Sequence, residues 1–260
     1  MKIPICVPVL CLLAACGGSG STGDAARPDS GAPPASAATT GQGTPAGRDS
    51  LRGDAAAGVA GRSAGGDARP VVLFLGNSLS AGLGVPEDSA FPAVVQQKID
   101  SARLGFRVVN AGVSGATSAD GLQQTTWLLR QPVDVLVLEL GGNDALRGLS
   151  VDAMQQNLRG IIQRFRARHP GLPVVLAGME APPNLGAAYT TAFRQAFRDV
   201  AREEHATLIP FLLQDVGGIP QLNQVDHIHP TSAGHRIVAR NVWRVLEPVL
   251  RQLKAKAPAA

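Results

Sequence analysis

From Val71 onward, short runs of apolar residues alternate with longer stretches in which apolar residues recur every three or four positions. The first pattern is typical of buried strands, and the second is typical of amphipathic helices. The short runs predict five strands, at Val71–Gly76, Arg107–Ala111, Val133–Leu140, Pro173–Ala177 and Thr207–Leu212.

The helical pattern follows each of these runs. It predicts helices at Phe91–Leu104, Ser118–Leu129, Val151–Arg168, Tyr189–His205 and Thr231–Lys254, with Ser118 as the N-cap of the second. Strands that alternate with helices and are apolar throughout are typical of a parallel sheet covered on both faces. We therefore predict an α/β protein of three layers, α/β/α, around a central parallel sheet of about five strands.

The first 69 residues have a different composition. Residues 17–69 are rich in Gly, Ala, Ser and Pro and show no apolar periodicity, so this segment cannot bury enough surface to offset the entropy of ordering it. We interpret residues 17–69 as a disordered tether and residues 70–260 as one folded domain. A tether of about 50 residues has a mean reach of about 40 Å.

The formal net charge of +4 and the pI near 9.3 raise the question of an anionic partner, such as nucleic acid or a membrane surface. A solvated surface rich in arginine explains the charge equally simply, and we favour it. We predict no nucleic-acid partner.

All three cysteines precede the predicted domain, so no disulfide, zinc site or catalytic thiol is expected within it. The apolar stretch Ile3–Leu13 follows Lys2 and is too short to span a bilayer, which is typical of a secretory signal. The segment Leu13–Cys16 resembles the bacterial lipobox. This resemblance implies that residues 1–16 form a lipoprotein signal and that Cys16 is lipidated, although an ordinary signal peptide is an alternative.

The polar residues that could carry chemistry follow the predicted strands. Ser78 comes directly after the first strand, where ligands bind in open α/β sheets, and a serine there can act as a nucleophile if a base reaches it. Asp226 and His229 lie three residues apart in one late loop. Such a pair can supply a general base and the carboxylate that orients it.

Acyl transfer also needs hydrogen-bond donors directed at the oxyanion that develops on the substrate. Three groups suit that role: the backbone N–H of Ser78, the backbone N–H of Gly115 after the second strand, and the side-chain amide of Asn143 after the third.

Ser78, Gly115, Asn143 and His229, in this order and in these sequence blocks, resemble the SGNH superfamily, also called the GDSL hydrolases. The blocks Gly141–Gly148 and Met179–Asn184 are similar to those of its acyl-CoA thioesterases, arylesterases and lysophospholipases. The resemblance implies a flavodoxin-like fold and a serine hydrolase that cleaves carboxylic esters or thioesters through an acyl-enzyme. It also implies that no metal or cofactor takes part.

By the same resemblance, Ser78 is the nucleophile, Asp226 and His229 complete the triad, and Gly115 and Asn143 serve the oxyanion. The implied substrate is a small acyl ester or a lipid. We also expect the protein to be a monomer. Its expected location is extracytoplasmic, anchored through Cys16 to the periplasmic side of the outer membrane of a Gram-negative bacterium.

One position departs from the family pattern, because Asn77 stands where the family usually has Asp. Asn77 leaves open a non-catalytic surface lipoprotein that binds a lipid or a glycan. A carbohydrate O-deacetylase of the same fold is a further alternative. A metal-dependent phosphoesterase would have to use Asp144, Asp226, His227 and His229, which are too few ligand motifs for such a site.

Other titratable residues receive structural interpretations. We expect His227 to be structural or exposed, and Glu139 and Asp144 to accept structural hydrogen bonds. We expect His169, His205 and His235, in helices or at their ends, to lie on the solvated surface.

Overall fold

The computed structural model describes residues 67–256. The predictions for the signal segment, for Cys16 and for residues 17–66 of the tether lie outside the described residues. Within residues 67–256, no helix combines the length and the apolar character needed to cross a bilayer.

Five strands and seven helices follow one another along the described chain, with short 3-10 turns at Glu87–Ser89, Pro183–Leu185 and Pro220–Leu222. The strands are β1 Val71–Gly76, β2 Arg107–Asn110, β3 Val135–Glu139, β4 Val174–Ala177 and β5 Thr207–Ile209. The helices are α1 Ser78–Ala81, α2 Phe91–Ser101, α3 Ser118–Leu128, α4 Gly142–Leu146, α5 Val151–Arg168, α6 Ala187–Glu203 and α7 Ser232–Lys256.

The five strands form one parallel sheet in the order β2-β1-β3-β4-β5. The chain moves outward from β1 to β2 and then crosses back to β3 on the other side of β1. This reversal creates a crevice at the carboxyl ends of the central strands, where open α/β sheets bind their ligands.

Helices cover both faces of the sheet. Helices α2 and α7 pack together as one layer, and α3 and α6 both pack on α5 as the other. Strands β1, β3 and β4 are buried along their whole length because both of their faces meet a helical layer. The predicted three-layer α/β/α fold is therefore confirmed.

Both ends of the described domain lie at the amino edge of the sheet, opposite the crevice. Pro70, immediately before β1, lines a small cavity together with Leu253 and Lys254 near the end of α7. The ammonium group of Lys254 also donates to the carbonyl oxygen of Arg103, which follows α2 at this edge (2.6 Å).

The start of α3 differs from its prediction. The N-cap is Thr117 rather than Ser118. The Thr117 side chain and the Asp120 carboxylate each accept a hydrogen bond from the other's backbone N–H, which forms a capping box. Ser118 is the first helical residue and is buried, and its hydroxyl donates to Asp144 instead.

The prediction that His235 lies on the solvated surface is wrong. His235 is buried on the face of α7 that packs on α2. Its ring stacks on Phe91, and its Nδ1 accepts the backbone N–H of Phe91 (3.2 Å). Burial lowers the pKa of His235 to about 4, so the ring is neutral at physiological pH.

Candidate active site

Ser78 is the first residue of α1 and lies in a tight turn at the end of β1. A side chain at Gly76 would collide with Ser80 and Glu139, so the turn requires glycine there. Asn77 is the N-cap of α1, and its side-chain oxygen accepts the backbone N–H of Leu79 (2.9 Å). The turn holds Ser78 at the carboxyl edge of the sheet with only 7% of its surface exposed.

A chain of hydrogen bonds runs from Ser78 to the late loop. The Ser78 hydroxyl lies 2.8 Å from Nε2 of His229, and Nδ1 of His229 lies 2.7 Å from Oδ2 of Asp226. An ionised carboxylate can only accept hydrogen bonds, so Nδ1 carries the proton facing Asp226. The lone pair of Nε2 is then directed at the Ser78 hydroxyl, the arrangement in which imidazole acts as a general base toward serine.

Asp226 is held in its ionised form. Its Oδ1 accepts the backbone N–H groups of His229 (3.0 Å) and Ile228 (2.9 Å). Hydrogen bonds from the His229 backbone, the His229 ring and the Ile228 backbone lower the pKa of Asp226 to about 2. Because Asp226 and His229 are three residues apart, a single turn places the Asp226 carboxylate against the His229 imidazole.

His227, the neighbouring alternative base, is exposed and has a left-handed backbone conformation (φ 61°). Among the described residues, no hydrogen bond joins its ring to Ser78 or to Asp226. The loop is closed by Gln224, whose backbone N–H donates to the His229 carbonyl oxygen (2.7 Å) and whose side chain donates to the Pro230 carbonyl oxygen (3.0 Å).

Asn143 and Gly115 are held next to each other by hydrogen bonds. The Asn143 amide donates to the Ala116 carbonyl oxygen (2.9 Å), and the Arg147 guanidinium donates to the Gly115 carbonyl oxygen (2.8 Å). Asn143 lines the same cavity as Ser78, whereas Gly115 lines an adjacent shallow groove along α3 together with Arg147 and Trp127. Gly115 also has a positive φ of 81°, a conformation that favours glycine.

Glu139 is fully buried beneath the turn that carries Ser78. Its carboxylate accepts the Asn77 side-chain amide (2.7 Å), the Ser80 hydroxyl (2.8 Å) and the backbone N–H groups of Asn77 (3.1 Å) and Ser80 (3.3 Å). Burial raises the pKa of Glu139 to about 7, and these donors act in the opposite direction. All four donors belong to the turn that carries Ser78, so Glu139 fixes the conformation of that turn.

Glu139 and Asp144 were both expected to accept structural hydrogen bonds, and both do so. Asp144 accepts the backbone N–H (2.8 Å) and the hydroxyl (2.5 Å) of Ser118, as a structural acceptor would. Within residues 67–256, no group of three or more His, Cys, Asp or Glu side chains is arranged to hold a metal ion.

A cavity of about 400 Å³ opens beside Ser78 and His229, within the size range of small-molecule sites. Its walls are largely apolar: Leu79, Leu146, Met179, Ala181, Pro182, Pro183, Phe211, Leu213 and Ile228. The cavity extends from Ser78 along the loops that follow β4 and β5. Such a site can accept a hydrocarbon chain whose carbonyl group lies next to the Ser78 hydroxyl.

The amino-acid sequence is similar to those of known ester hydrolases. Residues 74–237 match the model of the GDSL-like lipase/acylhydrolase family. The chain is 41% identical over 184 residues to the esterase TesA of Pseudomonas aeruginosa, an alignment that covers 70% of this chain and 90% of that protein. It is 37% identical over 185 residues to thioesterase 1/protease 1/lysophospholipase L1 of Escherichia coli K12, which covers 70% and 86% of the two chains.

The fold is also similar to that of a solved esterase. The psychrotrophic esterase EstA from Pseudoalteromonas sp., in a structure inhibited by monoethylphosphonate, superimposes with a TM-score of 0.65 and 30% identity, over 70% of this chain and 98% of that one. The resemblance to the thioesterase, arylesterase and lysophospholipase branch is thereby confirmed. The chain belongs to the GDSL-like lipase/acylhydrolase family, and it is an ester hydrolase of the SGNH type.

Proposed function

We propose that Ser78, His229 and Asp226 form the catalytic triad of this ester hydrolase. The observation that carries the proposal is the continuous hydrogen-bond chain from the Ser78 hydroxyl through His229 to Asp226. Ser78 Oγ attacks the carbonyl carbon of the substrate while Nε2 of His229 takes the hydroxyl proton. Asp226 stays ionised and stabilises the imidazolium that forms.

The tetrahedral intermediate collapses when His229 returns its proton to the leaving oxygen or sulfur. The alcohol or thiol departs, and the acyl group remains on Ser78 as an ester. A water molecule then attacks the acyl-enzyme with His229 again acting as the base, and the carboxylic acid is released.

The proposed oxyanion donors are the backbone N–H groups of Ser78 and Gly115 and the amide of Asn143. An amide nitrogen carries two protons, and one proton of Asn143 binds the Ala116 carbonyl oxygen. The second proton is available to the substrate oxygen. In a cavity with apolar walls such donors stabilise developing charge more strongly than water does.

The proposed substrates are esters or thioesters with an acyl chain of several carbons, because the cavity beside Ser78 is mainly apolar. An O-acetylated sugar would leave most of that surface unfilled. In a series of p-nitrophenyl esters, we expect kcat/KM to rise from acetyl to a longer acyl chain and then to fall once the cavity is full. A series in which acetyl is the best substrate would contradict this assignment.

Asn77 does not argue for a non-catalytic protein, because its side chain performs two structural tasks: it caps α1 and it donates to Glu139. We expect Asn77→Asp to keep activity near neutral pH within about tenfold, or about 1.4 kcal/mol of barrier. An inactive parent beside an active Asn77→Asp variant would show that Asn77 disables the site.

Stability should respond more than activity to Asn77→Asp, because two carboxyl groups would then lie in contact and must share a proton. The folded state would hold a proton that the unfolded state releases, so the free energy of unfolding should decrease as pH rises. In the parent, Glu139 causes such a decrease between about pH 4.5 and about pH 7. In Asn77→Asp the shared proton should give a similar slope, but the decrease should continue above pH 7.

Urea unfolding at several pH values measures this effect. The matched control combines Asn77→Asp with Glu139→Gln, which exchanges the amide and the carboxylate and should restore a single buried charge. An Asn77→Asp variant with the parent's pH dependence would mean that the two side chains are not in contact.

We further propose that the mature protein begins at a lipidated Cys16 and lies outside the cytoplasm, on the periplasmic side of an outer membrane. The segment Leu13–Cys16 after an apolar stretch supports this proposal. Mass spectrometry of the mature N-terminus should find a modified cysteine at position 16. An unmodified N-terminus at another residue would contradict it.

A further inference from the structure

Eight large apolar side chains are exposed among residues 67–256, and seven of the eight lie in segments that follow the carboxyl ends of strands. They are Leu83, Val113, Trp127, Leu146, Leu149, Ile219, Val225 and Ile228, which together we name the apolar collar. Val225 is the extreme case, with 98% of its surface exposed to water. Concentrated exposure of this kind marks interaction sites, whereas scattered single side chains do not.

Seven collar residues lie in segments that follow the carboxyl ends of strands. Leu83 follows β1 and Val113 follows β2; Leu146 and Leu149 follow β3; Ile219, Val225 and Ile228 follow β5. Because the sheet is parallel, these segments share one edge with Ser78. Trp127 lies on the α3 face that lines the groove beside Val113.

The cavity opens inside the collar. Leu146 and Ile228 line the cavity that contains Ser78 and His229. Two other collar residues are linked through the loop that carries Asp226 and His229. The side chain of Gln224, in this loop, donates to the Leu83 carbonyl oxygen (2.7 Å) and so joins the segments that carry Leu83 and Val225. A substrate bound in this cavity therefore lies beside at least two of the collar residues.

Charge on this edge is unlike that of the whole chain. The segments that follow the five strands, residues 77–90, 111–117, 140–150, 178–186 and 210–231, contain no lysine and one arginine, Arg147, although the chain has 24 basic residues. They contain six acidic residues: Glu87, Asp88, Asp144, Glu180, Asp215 and Asp226. Asp144 is buried and Glu180 is paired with Arg194 of α6 (3.1 Å), so two of these acids add little free charge to the surface. The edge is therefore apolar with few charges, and these segments offer no cluster of basic side chains to an anionic surface.

We propose that the apolar collar docks on the surface of a neutral or zwitterionic lipid aggregate, so that the cavity opens where long-chain esters partition. This inference rests on the proposed acyl cavity, because a substrate with a long acyl chain is itself concentrated in such aggregates. A protein bound permanently on the collar would cover the cavity, whereas a lipid surface supplies the substrate at each encounter.

The test compares two presentations of substrate to the full chain. Leu83→Ser, Ile219→Ser and Val225→Ser are combined in one variant, because none of these three side chains lines the cavity. Both the parent and the variant carry Cys16→Ser, so any contribution of the predicted lipid or of residues 1–66 is the same in both. The substrates are p-nitrophenyl butyrate as a dissolved monomer and a long-chain monoacyl ester in phosphatidylcholine vesicles.

We expect the triple variant to hydrolyse the monomeric ester within about twofold of the parent. Turnover of the vesicle-borne ester, and sedimentation of the enzyme with vesicles, should each fall about tenfold because the apolar contact area is lost. The apolar control, Leu83→Ile with Ile219→Leu and Val225→Leu, should keep both. Vesicle binding of the parent should also resist salt, since ion pairs contribute little.

Several results would overturn the proposal. One is a triple variant that retains turnover on vesicles. Another is equal loss on both substrates, which would mean that the collar serves the site or the fold. A third is concentration-dependent self-association of the parent that the triple variant abolishes, which would identify a protein interface. A parent inactive on both substrates would instead refute the proposed catalytic function.

Discussion

Ser78→Ala and His229→Ala are each expected to lower turnover by about 10⁴–10⁶, judged from serine hydrolases in general. In the proposed mechanism Ser78 forms the bond to the acyl group, and without His229 its hydroxyl keeps its proton and is a weak nucleophile. The 2.8 Å contact between the two makes them one functional unit. The turnover of the double variant should therefore lie within a small factor of the turnover of the slower single variant.

His227→Ala is the control that shows which of the two histidines in this loop, His227 or His229, acts as the base. His227 lines the cavity but has no hydrogen bond to Ser78 or Asp226 among the described residues, so its loss should change kcat by less than about tenfold. Activity should be measured on one soluble ester for all variants, with thermal unfolding to verify folding. If His227→Ala abolishes activity and His229→Ala does not, the assignment of the base is wrong.

The pH profile follows from the same geometry. A protonated imidazole cannot accept the Ser78 proton, so kcat/KM should fall in acid. Hydrogen bonds from the backbone and ring of His229 lower the pKa of Asp226 to about 2. Asp226 therefore stays ionised over the working range, and protonation of Asp226 should not cause the loss of activity in acid.

Asn143→Ala is expected to lower kcat by about 10²–10³, because the developing oxyanion loses one of three proposed donors. The effect should fall on kcat more than on KM, since the charge exists in the transition state and not in the bound ester. Asn143→Ala also frees the Ala116 carbonyl oxygen, which places the expected loss toward the upper end of that range.

Arg147→Met separates these two contributions. It removes the donor to the Gly115 carbonyl oxygen, and so loosens the same loop, but leaves every proposed oxyanion donor in place. Its loss of kcat should be about tenfold or less. A loss in Arg147→Met as large as that in Asn143→Ala would mean that loop position, and not the Asn143 amide, accounts for the effect.

The regular elements were accessible from the sequence because their patterns are strong and local. Strand β1 matched its prediction, since Val71–Gly76 is apolar throughout and ends in glycine. Strand β5 was predicted to reach Leu212 but ends at Ile209, because Pro210 has no N–H to donate to a neighbouring strand. Helix α1 was not predicted, because a four-residue helix is too short to show periodicity.

Contacts between distant segments were less accessible. Ser78 and the Asp226–His229 turn were predicted together from residue type and spacing, whereas the bond between Asn77 and Glu139 depends on β1 lying beside β3, with Gly76 paired to Glu139. The buried position of His235 could have been predicted from the apolar pattern of α7. Val238, Ala239 and Val242 lie three, four and seven positions later on the buried face of α7, which places His235 on that face.

The position of both ends of the domain beside Pro70 and Leu253 has a consequence for engineering. A reporter protein, a solid support or a surface-display carrier joined at either end would attach at the pole opposite the catalytic entrance, which would stay open to solution. Because the two ends share one edge, a short peptide could also connect them. New termini could then be opened in the exposed Pro170–Gly171 turn, which yields a circular permutant with its catalytic loops uncut.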